Sequence, residues 1–142
     1  MKCSEVMTKD PSCCVPTDTV FDAAQLMKSE DVGPIQIVKD KQGKELLGIV
    51  TDRDLALKVV AEGLDPKNTP VESVMTTGVV TSSPEDDCEK ALNLMEQHQV
   101  RRIPIVDGNR LVGIIAQADV ATRLDQPDKT HEMVEEISRA AA

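Results

Sequence analysis

The chain has 142 residues, 40% of them apolar and 29% charged, the balance of a globular fold rather than of a disordered or membranous chain. Sixteen basic against twenty-five acidic residues leave a net charge of −9, which argues against sequence-blind nucleic-acid binding, since that needs a basic footprint. Phe21 is the one aromatic residue, so stacking platforms for single strands are excluded and any bound nucleobase must lie between aliphatic side chains.

In chain order, residues 1–8 carry Val6-Met7-Thr8 and lack the apolar core of a secretory signal. No apolar run approaches the ~20 residues of a membrane helix. A cytoplasmic location is expected, with neither membrane nor nucleic acid as partner. Cys3, Cys13, Cys14 and Cys88 then read as reduced thiols, and without CxxC spacing or a histidine pair no metal site is expected. An extended stretch at Ser12 to Val15 precedes an amphipathic helix at Val20 to Ser29. Ala23, Leu26 and Met27 have helical spacing there, and Asp18 or Thr19 is the cap. A hairpin follows, Ile35 to Val38 with Leu46 to Val50, and then a second helix at Arg53 to Glu62. Gly63 to Pro70 is Pro/Gly-punctuated and reads as a linker.

The same order then repeats: Val74-Met75-Thr76, an extended stretch at Val79 to Ser82, and a helix at Cys88 to His98 capped by Asp86 with Glu89. Strands Ile103 to Val106 and Leu111 to Ile115 and a helix at Ala118 to Leu124 complete it. From residue 6 to 38, 12 of 33 positions are identical at an offset of 68; after a shorter turn the offset falls to 65, aligning Gly48-Ile49 with Gly113-Ile114 and Asp54 with Asp119. The organisation is therefore α/β (α+β), with two pseudo-symmetric β-α-β-β-α repeats packed through their sheets. Residues 1–64 form repeat one, 65–126 repeat two and 127–142 a tail. In the tail Met133, Val134 and Ile137 make an apolar stripe, either a helix packing on a partner subunit or a solvated end.

The richest string is Gly48-Ile49-Val50-Thr51-Asp52-Arg53-Asp54. A buried strand runs into Thr51, and Thr51 with Asp54 has the form of a capping box. The same geometry offers a helix end to a phosphate and a carboxylate to ribose hydroxyls. In Gly113-Ile114-Ile115-Ala116-Gln117-Ala118-Asp119 the carboxylate is retained, but Ala116 has no hydroxyl, so capping does not explain Asp119. Lys58 and Arg123 align on the second helices and read either as phosphate contacts or as solvated charge, as does Arg53.

Two copies of Val-Met-Thr, a helix, Ile103-Pro104-Ile105-Val106-Asp107 and Gly48 to Leu55 together resemble a tandem pair of CBS (cystathionine-beta-synthase) domains, a Bateman module, over about residues 4–125. The resemblance implies a stand-alone regulatory module that binds AMP, ADP, ATP, S-adenosylmethionine or a related adenine nucleotide in two clefts between the repeats. It implies signalling by conformational change, no catalysis and no required cofactor beyond the regulatory nucleotide. It further implies a homodimer and a protein target reached in trans. Carried over by alignment, one set of ligand contacts comprises Thr51 and Asp54 with Val32, Gly33, Ile35, Thr76 and Val79. The other comprises Asp119 with Arg101, Arg102, Ile103, Pro104, Thr8 and Cys13.

Two departures unbalance the sets. Ala116 lacks the hydroxyl, and Gly33 stands where repeat two has Arg101. The Asp54 set suits ribose geometry and the Arg101 set suits more phosphates. An enzyme is not expected, for no nucleophile–base constellation, metal cluster or phosphate-binding glycine loop appears. The competing reading is a structural dimerisation module with degenerate clefts.

Overall fold

In a computed structural model, residues 1–123 are described. Leu124, where the last helix was expected to end, and the apolar stripe of the tail lie outside the described residues. The elements follow the sequence closely. Helix α1 (Cys3–Val6) leads into strand β1 (Thr8–Lys9), followed by β2 (Cys13–Cys14), helix α2 (Val20–Glu30) and strands β3 (Pro34–Val38) and β4 (Leu46–Thr51). Helix α3 (Asp52–Leu55) continues as a π-helix over Ala56–Val60, where an ordinary α-helix to Glu62 was expected. Short 3-10 turns at Pro66–Asn68 and Val71–Ser73 precede α4 (Cys88–His98), β5 (Arg102–Asp107), β6 (Arg110–Ala116) and α5 (Gln117–Arg123).

Two three-stranded sheets form, in the orders β2-β3-β4 and β1-β6-β5. Their hairpins are antiparallel, and both shift register at aligned places, between Ile37 and Val38 and between Ile105 and Val106. The chain divides into two compact units, one of Ser12–Val79 and one of Met1–Pro11 with the residues from Val80 onward. These units are not cut where the sequence repeats are. Thr8 pairs with Ile114 on β6, and Thr76 pairs with Ile49 on β4. Each Val-Met-Thr segment thus lies on the hairpin of the other repeat.

Both aligned glycines make that docking possible. A Cβ on Gly48 would lie 2.6 Å from the Thr76 carbonyl oxygen and 3.0 Å from Met75 Sδ. A Cβ on Gly113 would lie 2.5 Å from Met7 Sδ and 3.0 Å from the Thr8 carbonyl oxygen. The segments then add their valines to the cores. Val74 and Val71 join Cys14, Val20, Ala23, Ile35, Ile37 and Val50. Val6 and Cys3 join Cys88, Ala91, Leu92, Ile103, Ile105 and Ile115. Each fully buried aliphatic side chain contributes roughly 1.5–3 kcal/mol by leaving water.

Capping is resolved at the helix starts. Thr19 caps α2, with the Asp22 N–H donating to Thr19 Oγ1 at 3.2 Å and the Thr19 N–H donating to Asp22 Oδ2 at 3.0 Å. The cap of α4 is Asp87, which accepts from the Glu89 N–H at 2.9 Å, and not Asp86 as expected. Asp86 instead closes the preceding turn by accepting from the Ser83 N–H at 2.8 Å. The local spacing of two adjacent aspartates suited either role. The end of the expected linker is docked rather than free: the Val20 N–H donates to the Thr69 carbonyl at 2.9 Å, and the Val71 N–H to that of Asp18 at 2.8 Å. Lys67 adds a cation–π contact, its Nζ 4.9 Å from the Phe21 ring centre.

Candidate functional site

In the unit of Ser12–Val79, β4 delivers Thr51 to the start of α3 in an extended conformation (φ −116°, ψ 163°). The capping box forms as the spacing predicts: the Asp54 N–H donates to Thr51 Oγ1 at 3.1 Å, and the Thr51 N–H donates to Asp54 Oδ2 at 3.0 Å. The second carboxylate oxygen of Asp54 is also taken, for Lys58 Nζ lies 3.2 Å from Oδ1. Lys58 further donates to the Val74 carbonyl at 3.0 Å, which ties the helix to the incoming Val-Met-Thr segment. Both carboxylate oxygens of Asp54 are thus engaged within its own unit.

Several of the aligned residues are neighbours within this unit. Pro34 pairs with Thr51 and Ile35 with Val50, the Asp52 N–H donates to the Gly33 carbonyl at 3.0 Å, and Thr76 pairs with Ile49. Val32 and Val79 are half-buried in the same unit. At Gly33 an added Cβ would sit 3.3 Å from an Asp52 carboxylate oxygen, so the bare glycine leaves room for that charge.

In the other unit the aligned turn is held by the same backbone bond, the Gln117 N–H donating to the Arg101 carbonyl at 2.8 Å. Arg102 pairs with Ala116, Ile103 with Ile115 and Pro104 with Ile114; Thr8 joins through its pairing with Ile114. Cys13 lies in the unit of Ser12–Val79, on β2 opposite Gln36, with Lys41 Nζ donating to its carbonyl at 2.5 Å.

Asp119 is half-buried and makes no hydrogen bond or ion pair among the described residues. Arg123 donates to the Glu5 carbonyl at 3.1 Å, anchoring the incoming segment much as Lys58 does. The two aligned basic residues are therefore structural ties in the first instance. Lys58 neutralises Asp54 in one unit, whereas Asp119 has no ion pair among the described residues of the other.

Sequence reasoning missed Gln117. It is buried, 6% exposed, and its side-chain amide nitrogen has no hydrogen-bond partner. A buried donor left unpaired costs about 1–3 kcal/mol, so it calls for an acceptor. The available signal was its alignment with Asp52, an exposed residue in the other repeat.

The thiols stand apart from this chemistry. Burial, then the nearby Asp86, pushes Cys3 up to about 11, and burial, then Asp18, pushes Cys14 up to about 12. Cys88 is raised by burial as well. All four thiols are free and buried. No group of three metal-ligating side chains occurs among the described residues, and no described helix is long and apolar enough to cross a membrane.

The repeated unit, its two small sheets and its paired strand-to-helix turns define a tandem regulatory-type module. The family model described as CBS domain matches twice, over residues 3–61 and 71–126, and the chain belongs to that family. It is 47% identical over 117 residues to the CBS domain-containing protein YhcV of Bacillus subtilis, covering 82% of this chain and 81% of that one. Among solved structures, Hypoxic Response Protein I with two coordinated zinc ions superposes with a TM-score of 0.79 at 34% identity, over 87% of this chain and 99% of that one. The CBS domain pair of protein MJ0100, in complex with 5′-methylthioadenosine and S-adenosyl-L-methionine, superposes with a TM-score of 0.73 at 25% identity, covering 87% of this chain and 94% of that one.

Proposed function

We propose that the chain is a cytoplasmic, non-catalytic sensor of an adenine nucleotide or S-adenosylmethionine. Asp119 takes the ribose hydroxyls, and Arg101 and Arg102 take the phosphates or other anionic groups. The observation that carries this reading is the Asp119 turn itself: a carboxylate with no partner among the described residues, the backbones of Arg101 and Arg102 held against the turn, and the orphaned Gln117 amide at the same strand-to-helix junction. The adenosyl ligands of the MJ0100 pair support the ligand class. Ligand that binds one conformation better than another shifts the population between them, and a homodimer reports the shift to a protein target in trans. The Asp54 turn, saturated by Thr51 and Lys58, is the weaker of the two. That saturation is also what favours the rival reading, a structural module without ligand.

Thermal shift with AMP, ADP, ATP and S-adenosylmethionine tests the proposal. At a hundred times the dissociation constant a ligand adds about 2.7 kcal/mol of stability. The expected result is a rise in melting temperature that Asp119→Ala abolishes and Asp54→Ala reduces less. Protein that is free of 260 nm-absorbing nucleotide and responds to no adenosyl compound would decide for the structural module.

A further inference from the structure

On strand β2 two adjacent cysteines point apart. Cys14 pairs with Ile37, and both are buried in the apolar core of their unit. Successive side chains of a strand leave the sheet on opposite faces, so Cys13 and its register partner Gln36 share the other face. Gln36 is 2% exposed, and its side-chain amide nitrogen has no hydrogen-bond partner among the described residues. A thiol sulfur is a weak acceptor, so reduced Cys13 leaves that buried donor unsatisfied.

A third group reaches the same sulfur. Asp40 shapes the tip of the β3–β4 hairpin: its carboxylate accepts from the Gly43 N–H at 2.5 Å and its carbonyl from the Lys44 N–H at 3.1 Å. The turn presents Lys41, whose Nζ donates to the Cys13 carbonyl at 2.5 Å and lies 4.0 Å from Cys13 Sγ. That gap exceeds an N–H···O hydrogen bond and leaves room for one oxygen between nitrogen and sulfur. The fold does not require the trio. Thr81 and Pro104 stand at the positions of Cys13 and Gln36 in the second repeat, and Asp107-Gly108-Asn109-Arg110 replaces the longer turn of Lys39 to Glu45. Cys13 is also the most accessible of the four thiols. It is 8% exposed on an edge strand, against 0%, 1% and 0% for Cys3, Cys14 and Cys88, which burial holds in the protonated, unreactive form.

An ammonium and an amide donor thus converge on a sulfur that offers them no good acceptor, and oxygen added to that sulfur supplies one. We propose that Cys13 is a site of peroxide oxidation, at which Lys41 and Gln36 bind the oxygen that the sulfur gains. The sulfur attacks the O–O bond of a hydroperoxide. An S–O bond forms, the O–O bond breaks and the sulfur loses two electrons; with hydrogen peroxide the second oxygen leaves as water, taking the thiol proton. The sulfenic oxygen then accepts from Lys41 Nζ and Gln36 Nε2. Cys14, on the opposite face, is turned away from forming a disulfide with it, so the adduct is open to trapping. The proposal is independent of the nucleotide reading.

The test treats the reduced chain with hydrogen peroxide and dimedone and quantifies the dimedone adduct and sulfinic acid at each cysteine by fragmentation mass spectrometry. Oxidation is expected at Cys13 about 10-fold or more faster than at Cys3, Cys14 or Cys88. Lys41→Met should slow it about 10-fold, the effect of losing one charge-assisted hydrogen bond, while Lys41→Arg should keep it within about 3-fold of wild type. Gln36→Leu should slow it roughly 5-fold and leave the circular dichroism spectrum of the reduced chain unchanged, and it serves as the second disruption should Lys41→Met not fold. No oxidation at Cys13, equal oxidation of all four thiols, or a Cys13 rate indifferent to both Lys41→Met and Gln36→Leu would overturn the proposal.

Discussion

The turn after Val50 and the turn after Ile115 are aligned in sequence and held by the same backbone bond, yet their side chains are used differently. In the first, the Thr51 hydroxyl accepts from the Asp54 N–H, the Asp54 carboxylate accepts from the Thr51 N–H, and Lys58 neutralises that carboxylate at 3.2 Å. In the second, Ala116 offers no cap, Asp119 has no partner among the described residues, and Gln117 is buried with an orphaned amide. The first turn has converted its polar groups into local stability. The second has left them unspent at a cost the unit must carry, which is the usual arrangement where a ligand completes the hydrogen bonding.

The comparison can be broken most forcefully at the aligned glycines. At Gly48 the added Cβ of Gly48→Ala meets a backbone carbonyl oxygen, Thr76, at 2.6 Å, which has little freedom to retreat. At Gly113 the nearest atoms of Gly113→Ala belong to the flexible Met7 side chain. Urea unfolding should therefore show a loss of about 2–3 kcal/mol for Gly48→Ala and about 1 kcal/mol for Gly113→Ala. Equal losses would mean that the two incoming segments are held with the same rigidity.

A smaller effect sharpens the contrast at the caps. Thr51→Ala should cost about 1 kcal/mol in the same assay. The reverse change, Ala116→Thr, should gain up to about 1 kcal/mol if the new hydroxyl accepts from the Asp119 backbone N–H as Thr51 does from that of Asp54. No gain would mean that the second turn does not admit the cap the first one uses.

A last effect is confined to alkaline pH. Burial raises the Cys14 thiol to about 12 and Cys3 to about 11 from an ordinary value of 9.0. Folding therefore favours the protonated thiol in both units. That contribution is complete below pH 9 and is lost as pH rises through 11 and then 12, with Cys14 the later of the two. Unfolding midpoints measured from pH 7 to 11 should stay flat with respect to these groups to about pH 9 and then fall. In Cys14→Ala the part of the decline owed to Cys14 should be absent.

Much of this was legible in the order of residues. The helices, hairpins and repeat were legible because their signals are local: helical spacing at Ala23, Leu26 and Met27, strand-and-turn punctuation around Gly43 and Gly108, and a fixed offset between copies. The Thr51–Asp54 capping box was legible for the same reason, since three residues separate its members. The choice between Asp86 and Asp87 was not, because adjacent aspartates offer the same chemistry and the turn geometry selects between them. Nor was the π-turn at Ala56–Val60, which has no composition of its own.

The sequence by itself determined the repeated βαββα pattern, the family and the two aligned carboxylates. Only the tertiary structure decided that each Val-Met-Thr segment docks on the other repeat's hairpin, that Gly48 and Gly113 admit it, that Lys58 and Arg123 tie it down, and that Asp54 is occupied while Asp119 has no partner among the described residues. Those outcomes rest on pairs such as Ile49 with Thr76 and Thr8 with Ile114. Such partners are far apart along the chain, and no local spacing encodes which of two nearly identical copies a segment will meet.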